Sequence, residues 1–216
     1  MRDSNPNARL QARAHNLAGC RGFSLLEMMI VASLMMIVGG ITFMALIPAW
    51  QQTRITNAYN TTLMTIRRAH DEAVAERRVY VVSFNNGAIP NTITVTQNTV
   101  AGPVLVQAQL APEMAFVAIP GIPTSPIAQP ITPDGFGNGG SAIDLDVNVT
   151  PGVTTIFFYP DGTAQDSVGN ISNGVVYLAR QGDLYSSRAV TIWGATGRVR
   201  GWRLFLTAGQ NFWRQM

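Results

Sequence analysis

Residues 22–47 read Gly-Phe-Ser-Leu-Leu-Glu-Met-Met-Ile-Val-Ala-Ser-Leu-Met-Met-Ile-Val-Gly-Gly-Ile-Thr-Phe-Met-Ala-Leu-Ile. After Glu27, twenty residues pass without a charge. From Phe23 to Ile47 a helix extends roughly 37 Å, enough for a hydrocarbon core of about 30 Å. A carboxylate inside such a span costs about 2.5–3.5 kcal/mol at the bilayer centre, so an ionisable group there is read first as functional. Gly39-Gly40 and Pro48 interrupt the same helix, each glycine weakening it by about 1 kcal/mol and the proline removing a backbone bond. They are read as a kink, or as positions that permit local unwinding.

The flanks orient this span. Arg2, Arg9, Arg13 and Arg21 precede it against Asp3 alone, so the positive-inside rule keeps the leader cytoplasmic and sends the rest outward. A cleaved secretory signal would lose its apolar stretch, whereas the plausible cut here comes before it. Leu17-Ala18-Gly19-Cys20 imitates a lipoprotein signal but lacks the apolar run that must precede the cysteine.

Composition excludes much chemistry. Of 15 basic and 12 acidic residues, the leader holds four and one, leaving eleven arginines and eleven acids beyond it. The basic isoelectric point therefore does not argue for nucleic acid. Lysine is absent, which removes a Walker A loop and Schiff-base catalysis. Gly137-Asn138-Gly139-Gly140 is accordingly a flexible loop. Cys20 is the one cysteine and lies in the leader, so no disulfide framework or thiolate site is expected. Beyond His15 the chain has only His70, read as a solvated helix position. Asp134, Asp144 and Asp146 raise calcium, but without EF-hand spacing they read as solvated loop residues. A non-enzymatic chain with no cofactor and no metal is expected.

Past Pro48, Ile55, Tyr59, Leu63, Ile66, His70 and Val74 recur at helical spacing, with Arg67–Asp71 and Arg68–Glu72 as i,i+4 pairs on the opposite side. One helix from about Phe23 to Arg78 is expected. Val79–Phe84 then switches to β-branched and aromatic residues. Further strands are expected at Thr92–Gln97, Val104–Leu110, Met114–Ile119, Ala142–Val149, Thr155–Tyr159, Val175–Ala179, Ala189–Trp193 and Arg198–Leu206. Asn85-Asn86-Gly87 supplies a turn, and Pro160-Asp161-Gly162 a hairpin turn between two of these strands. Between Pro120 and Gly140, five prolines and five glycines predict a mobile surface loop. Arg198 and Arg200 alternate with Val199, so both project from one strand face roughly 6.6 Å apart. Trp193, Trp202 and Trp213, with Arg203 and Arg214, lie nearby in sequence. Cations among aromatics suit a polyanion, and a solvated strand face with packed tryptophans is the plainer alternative.

Gly22-Phe23-Ser24-Leu25-Leu26-Glu27 and the apolar run behind it resemble the type IV prepilin signal. The resemblance implies cleavage between Gly22 and Phe23 by a prepilin peptidase, and N-methylation of Phe23. It also implies a filament in which Glu27 meets the amine of a neighbouring subunit, an attraction that apolar surroundings strengthen. Residues 67–79 (Arg-Arg-Ala-His-Asp-Glu-Ala-Val-Ala-Glu-Arg-Arg-Val), 156–164 (Ile-Phe-Phe-Tyr-Pro-Asp-Gly-Thr-Ala) and Gly197-Arg198-Val199-Arg200 resemble segments of the GspH/FimT family. That likeness covers most of the chain beyond the leader, least well over 87–153 and after Gly201.

The likeness implies an α+β, pilin-like fold with a long N-terminal helix, transmembrane in its first half, packed on a C-terminal antiparallel β-sheet domain. The divisions expected are a leader at 1–22, a transmembrane and assembly helix at 23–48, its amphipathic continuation at 49–79 and a periplasmic β-rich domain at 80–216. The function implied is that of a minor pseudopilin at the tip of a type II secretion pseudopilus, anchored in the inner membrane by a single pass. The peptidase, other major and minor pseudopilins, the inner-membrane assembly platform and the membrane itself would be its partners. The alternative is a FimT-like minor type IV pilin in pilus assembly or DNA uptake, with Arg198 and Arg200 touching DNA.

Overall fold

The computed structural model describes residues 22–147 and 149–216. The chain forms two units that meet between Pro48 and Ala49. The leader residues Arg2, Asp3, Arg9, Arg13, His15, Cys20 and Arg21 lie outside the described residues.

Helix α1 runs Leu25–Glu76 with Pro48 inside it. In the first unit its described side chains are exposed, and it holds a window of mean hydropathy 2.4, long and apolar enough to cross a membrane. In the second unit, Ile55, Ala58, Tyr59, Thr62, Leu63, Ile66, Ala69 and Ala73 are buried at three- and four-residue spacing. The stripe turns away at its end: Val74 is exposed and His70 only partly buried. Arg77, at φ +54, adopts the left-handed conformation that stops the helix.

The strands form two antiparallel sheets. One has the order β3-β2-β1-β6-β7, built from β1 (Tyr80–Asn85), β2 (Thr92–Gln97), β3 (Val104–Gln109), β6 (Thr155–Phe158) and β7 (Ala164–Gln165). The other has the order β11-β10-β9-β8-β4, with β5 also paired to β8. Its members are β4 (Met114–Ala115), β5 (Ile143–Asp144), β8 (Gly174–Arg180), β9 (Arg188–Trp193), β10 (Arg198–Thr207) and β11 (Gln210–Gln215). The expected α+β class, a helix whose second half packs on antiparallel sheet, is what the structure shows.

Strand β8 explains why its sequence is apolar without alternation. Val176 and Leu178 face the core that α1 closes, while Val175 and Tyr177 face a second apolar cluster with Ile122, Phe136 and Leu204. A strand covered on both faces needs no polar side. The second cover is the segment 120–140, expected to be a mobile loop. Instead it is docked. Ile122 and Phe136 are buried, Thr132 is 1% exposed, and Ser125 bridges Ile131. Its prolines and glycines leave only a single 3-10 turn at Pro133–Gly135 and no α-helix or strand, but its two apolar anchors give it a place to pack.

Three other expectations change. Pro160-Asp161-Gly162 does turn the chain, with Gly162 N–H donating to the Tyr159 carbonyl, but it joins β6 to the two-residue strand β7. Strands expected at Met114–Ile119 and Ala142–Val149 shrink to two residues each, because only Met114–Ala115 and Ile143–Asp144 find partners, both on β8. Strand β11 follows a hairpin whose Ala208 and Gly209 both have positive φ, the geometry of a tight primed turn.

Candidate functional site

Two sets of residues carry the functional expectations, and each belongs to a different unit. In the first unit, Gly22 and Phe23 lie just before α1 and are exposed. The Met28 N–H donates to the Ser24 carbonyl at 3.1 Å, so Ser24 caps the helix and Glu27 occupies its third position. A carboxylate in the first turn complements the positive end of the helix dipole. Glu27 thus sits one helical turn from the backbone nitrogen of Phe23, the group a cut after Gly22 would free.

In the second unit, Gly197-Arg198-Val199-Arg200 opens β10, and the structure separates its residues by face. Gly197 (φ +59), Val199 and Gly201 lie toward α1. A Cβ at Gly197 would stand 2.3 Å from His70 Cδ2 and 2.4 Å from the Gly162 carbonyl oxygen. A Cβ at Gly201 would stand 1.6 Å from the Tyr59 hydroxyl. Only glycine lets the strand approach the helix this closely. Arg67, expected to pair with Asp71, donates instead to the Val199 carbonyl at 3.3 Å, while the Arg68–Glu72 pair forms at 3.6 Å. His70, expected to be solvated, stacks edge-on against Phe158 with ring centroids 5.7 Å apart. It is a packing residue at the junction of helix, hairpin turn and β10.

The opposite face of β10 carries Arg198 and Arg200, as alternation requires, but their environments differ. Arg198 is exposed. Arg200 Nη1 donates to Asp134 Oδ1 at 2.7 Å, and the Asp134 side chain is 4% exposed. Asp134 Oδ2 accepts from Thr191 Oγ1 at 2.5 Å, and Trp202 Nε1 donates to the same Thr191 oxygen at 3.0 Å. Arg200 also lies 5.7 Å over the Trp193 ring, which packs on Phe136 at 4.9 Å. Arg200 therefore fastens the 120–140 segment to the sheet, and Arg198 is the exposed cation of the motif. Trp193, Trp202 and Trp213 are partly buried beside the second apolar cluster, which is the packing reading of the tryptophans.

Asp134, expected to be a solvated loop residue, has a side chain only 4% exposed, and its partner is 66 positions away, so no local pattern joins them. Asp144 and Asp146, also expected to be solvated, are buried and engaged separately. Asp146 Oδ1 accepts from Ser172 Oγ at 2.9 Å. The Asp144 carboxyl is pushed above the usual carboxylate range by burial, and backbone N–H groups of Asp146 and Gly152 offset this only partly.

Sequence reasoning also missed Arg188. It is 1% exposed, and its Nη1 donates to the carbonyls of Tyr185, Ser186 and Ser187 at 3.3, 3.1 and 3.0 Å. Burial, then the neighbouring Arg203, lowers its pKa to about 10.

Residues 17–43 match a family model described as the prokaryotic N-terminal methylation motif. No curated protein matches the chain. Two crystal structures of the type IV minor pilin FimU from Pseudomonas aeruginosa (strain PAO1) are similar in structure. The one in space group P21 is 14% identical, covering 69% of this chain and 88% of FimU with a TM-score of 0.41. The one in space group P65 is 13% identical, covering 68% and 90%, with a TM-score of 0.43. The chain carries a prepilin-type N-terminal methylation motif, with its glutamate in the first turn of an apolar helix.

Proposed function

We propose that the chain is a minor pseudopilin, a non-enzymatic subunit of a type II secretion pseudopilus. In this reading a prepilin peptidase cuts between Gly22 and Phe23, Phe23 is N-methylated, and residues 23–48 anchor the chain in the inner membrane with its β-domain in the periplasm. Glu27 then pairs with the Phe23 amine of an adjacent subunit during stacking. The single observation that carries this is the methylation-motif match over 17–43, in which Glu27 is the one charged residue after Arg21. An unpaired carboxylate in hydrocarbon is costly, and a freed terminal amine supplies the missing partner.

The test uses protein isolated from its native host. Its N-terminal residue should be Phe23, heavier by one methyl group, and Glu27→Gln should abolish incorporation into the filament while processing continues. A chain beginning at Met1, or unchanged incorporation of the variant, would refute the reading. Co-isolation of secretion tip subunits is the expected companion result.

The second reading is a FimT-like minor type IV pilin acting in pilus assembly or DNA uptake. The exposure of Arg198 favours it. DNA contact would then rest on Arg198, with Arg200 holding the loop beneath it.

A further inference from the structure

Three arginines stand side by side across the sheet that ends in β11. Arg203 of β10 is directly opposite Arg188 of β9 on one side and Arg214 of β11 on the other. Cross-strand like charges are destabilising, and here two such pairs share one member. Among the described residues, none of the three is in an ion pair. Asp183 lies near enough to act on Arg188, but its carboxylate is held by Arg180 at 3.1 Å. Arg203 Nε is buried with no hydrogen-bond partner. The Arg203 and Arg214 guanidinium carbons lie 5.0 and 5.3 Å from the centre of the Phe205 ring, which holds both cations on this face. From Arg188 to Arg214 the row passes from buried to half-buried to exposed.

The row ends at an open edge. Strand β11 pairs with β10 alone and terminates its sheet. The Met216 N–H donates to the Gly201 carbonyl, and the tight turn at 208–209 makes Thr207 and Gln210 the first bonded pair. Alternation then makes Arg203 and Arg214 a bonded pair as well, and turns the backbone groups of Asn211, Trp213 and Gln215 outward. A strand added antiparallel to β11 would bond to those three residues. Its residue opposite Arg214 would occupy a non-hydrogen-bonded position, where side chains approach most closely.

We propose that β11 accepts an extended, acidic segment of another protein as an additional strand. The residue opposite Arg214 is Asp or Glu, and the residue two positions on is apolar, against Phe212. Charge complementarity selects this occupant. A fourth position in register with three cations that no carboxylate pairs takes an anion, and the free edge supplies the main-chain bonds. A second copy of this chain does not fit, since none of its edge strands holds an acid: β3 reads Val-Leu-Val-Gln-Ala-Gln, β4 Met-Ala, β7 Ala-Gln and β11 Gln-Asn-Phe-Trp-Arg-Gln. A lone edge arginine would suffice to block aggregation, which leaves the half-buried Arg203, with its unpartnered Nε, and the in-register row unexplained. The proposal goes beyond the choice between secretion and pilus assembly and holds for either.

The experiment pans a random hexapeptide display library on the full-length chain in detergent. Recovered peptides should carry Asp or Glu at one fixed position with an apolar residue two places later. Replacing that acid by its amide should weaken binding by about tenfold, as expected for losing a charge-assisted contact. Arg214→Glu, a change at an exposed position, should reverse the selected charge to Lys or Arg. Amide hydrogen exchange should slow at Asn211, Trp213 and Gln215 when the selected peptide is added. Failure to enrich an acid at a fixed position, enrichment unchanged by Arg214→Glu, or no slowing at those amides would each overturn the proposal. So would duplex DNA displacing the peptide more tightly than the peptide itself binds, because the row would then be a nucleic-acid surface.

Discussion

Replacing Asp134 by Asn isolates what the Arg200 contact contributes. Asp134 has φ +53, a conformation asparagine also tolerates, so the backbone is left without new strain. The change removes one charge and one acceptor, leaving Thr191 and Arg200 to compete for the remaining oxygen. At an effective dielectric of about 20, opposite charges with centres ~4 Å apart attract by about 4 kcal/mol. Breaking a fully buried pair costs about 3–5 kcal/mol. The Arg200 side chain is 24% exposed, so water recovers part of this and the expected loss is about 2–3 kcal/mol. For a unit of this size that lowers the melting temperature by roughly 4–12 °C.

Thermal unfolding of the full chain in detergent, followed by tryptophan fluorescence, reads that shift directly, since Trp193 and Trp202 border the network. Hydrogen exchange should rise across 120–140 and stay unchanged in β1 and β2. A cycle with Arg200→Gln should show the two losses to be strongly non-additive. A loss below about 0.5 kcal/mol with unchanged exchange over 120–140 would refute the claim that this pair fastens the segment.

Two further outcomes are expected. Gly197→Ala combines a left-handed backbone with a Cβ pressed on His70 and the Gly162 carbonyl, and should cost about 3–5 kcal/mol. Adding His70→Ala should restore only part of this, and chemical denaturation of the single and double variants checks it. The Asp144 carboxyl is raised by burial, so its contribution to stability is present in acid and is lost as pH climbs through its folded value. Asp144→Asn should therefore gain on the wild type as pH rises from about 4 to about 7, measured as urea midpoints, and a gap independent of pH would contradict it.

What could be read from the chain divides along physical lines. The boundaries of β2 match the run Thr92–Gln97, and α1 ends two residues short of Arg78, because local periodicity and propensity decide both. The role of His70 was misread for the opposite reason. Its neighbours on the helix are charged, but Phe158 and Gly197 reach it from far along the chain. Likewise, β11 offers no clean alternation, and β7 is too short to leave a pattern. Each exists because a partner strand is already in place. The cations at 198 and 200 looked equivalent by spacing, and only the return of the 120–140 segment distinguishes them.

That distinction changes how the Gly-Arg-x-Arg strand is to be understood. Along β10, Gly197 and Gly201 are separated by roughly 13 Å, and the helix residues they meet, His70 and Tyr59, by roughly 16 Å along α1. The two spans nearly match, so the strand lies along the helix and needs a side-chain-free position at each close contact. One face of the motif is thus a docking seam, and the other holds Arg200 against Asp134. Both jobs belong to folding. A substitution at Gly197, Arg200 or Gly201 that weakens binding to any partner would therefore report on the seam or the fastened segment as well as on contact. Arg198 is the position at which binding can be tested without disturbing either, since its side chain is exposed and its neighbours Gly197 and Val199 face the other way.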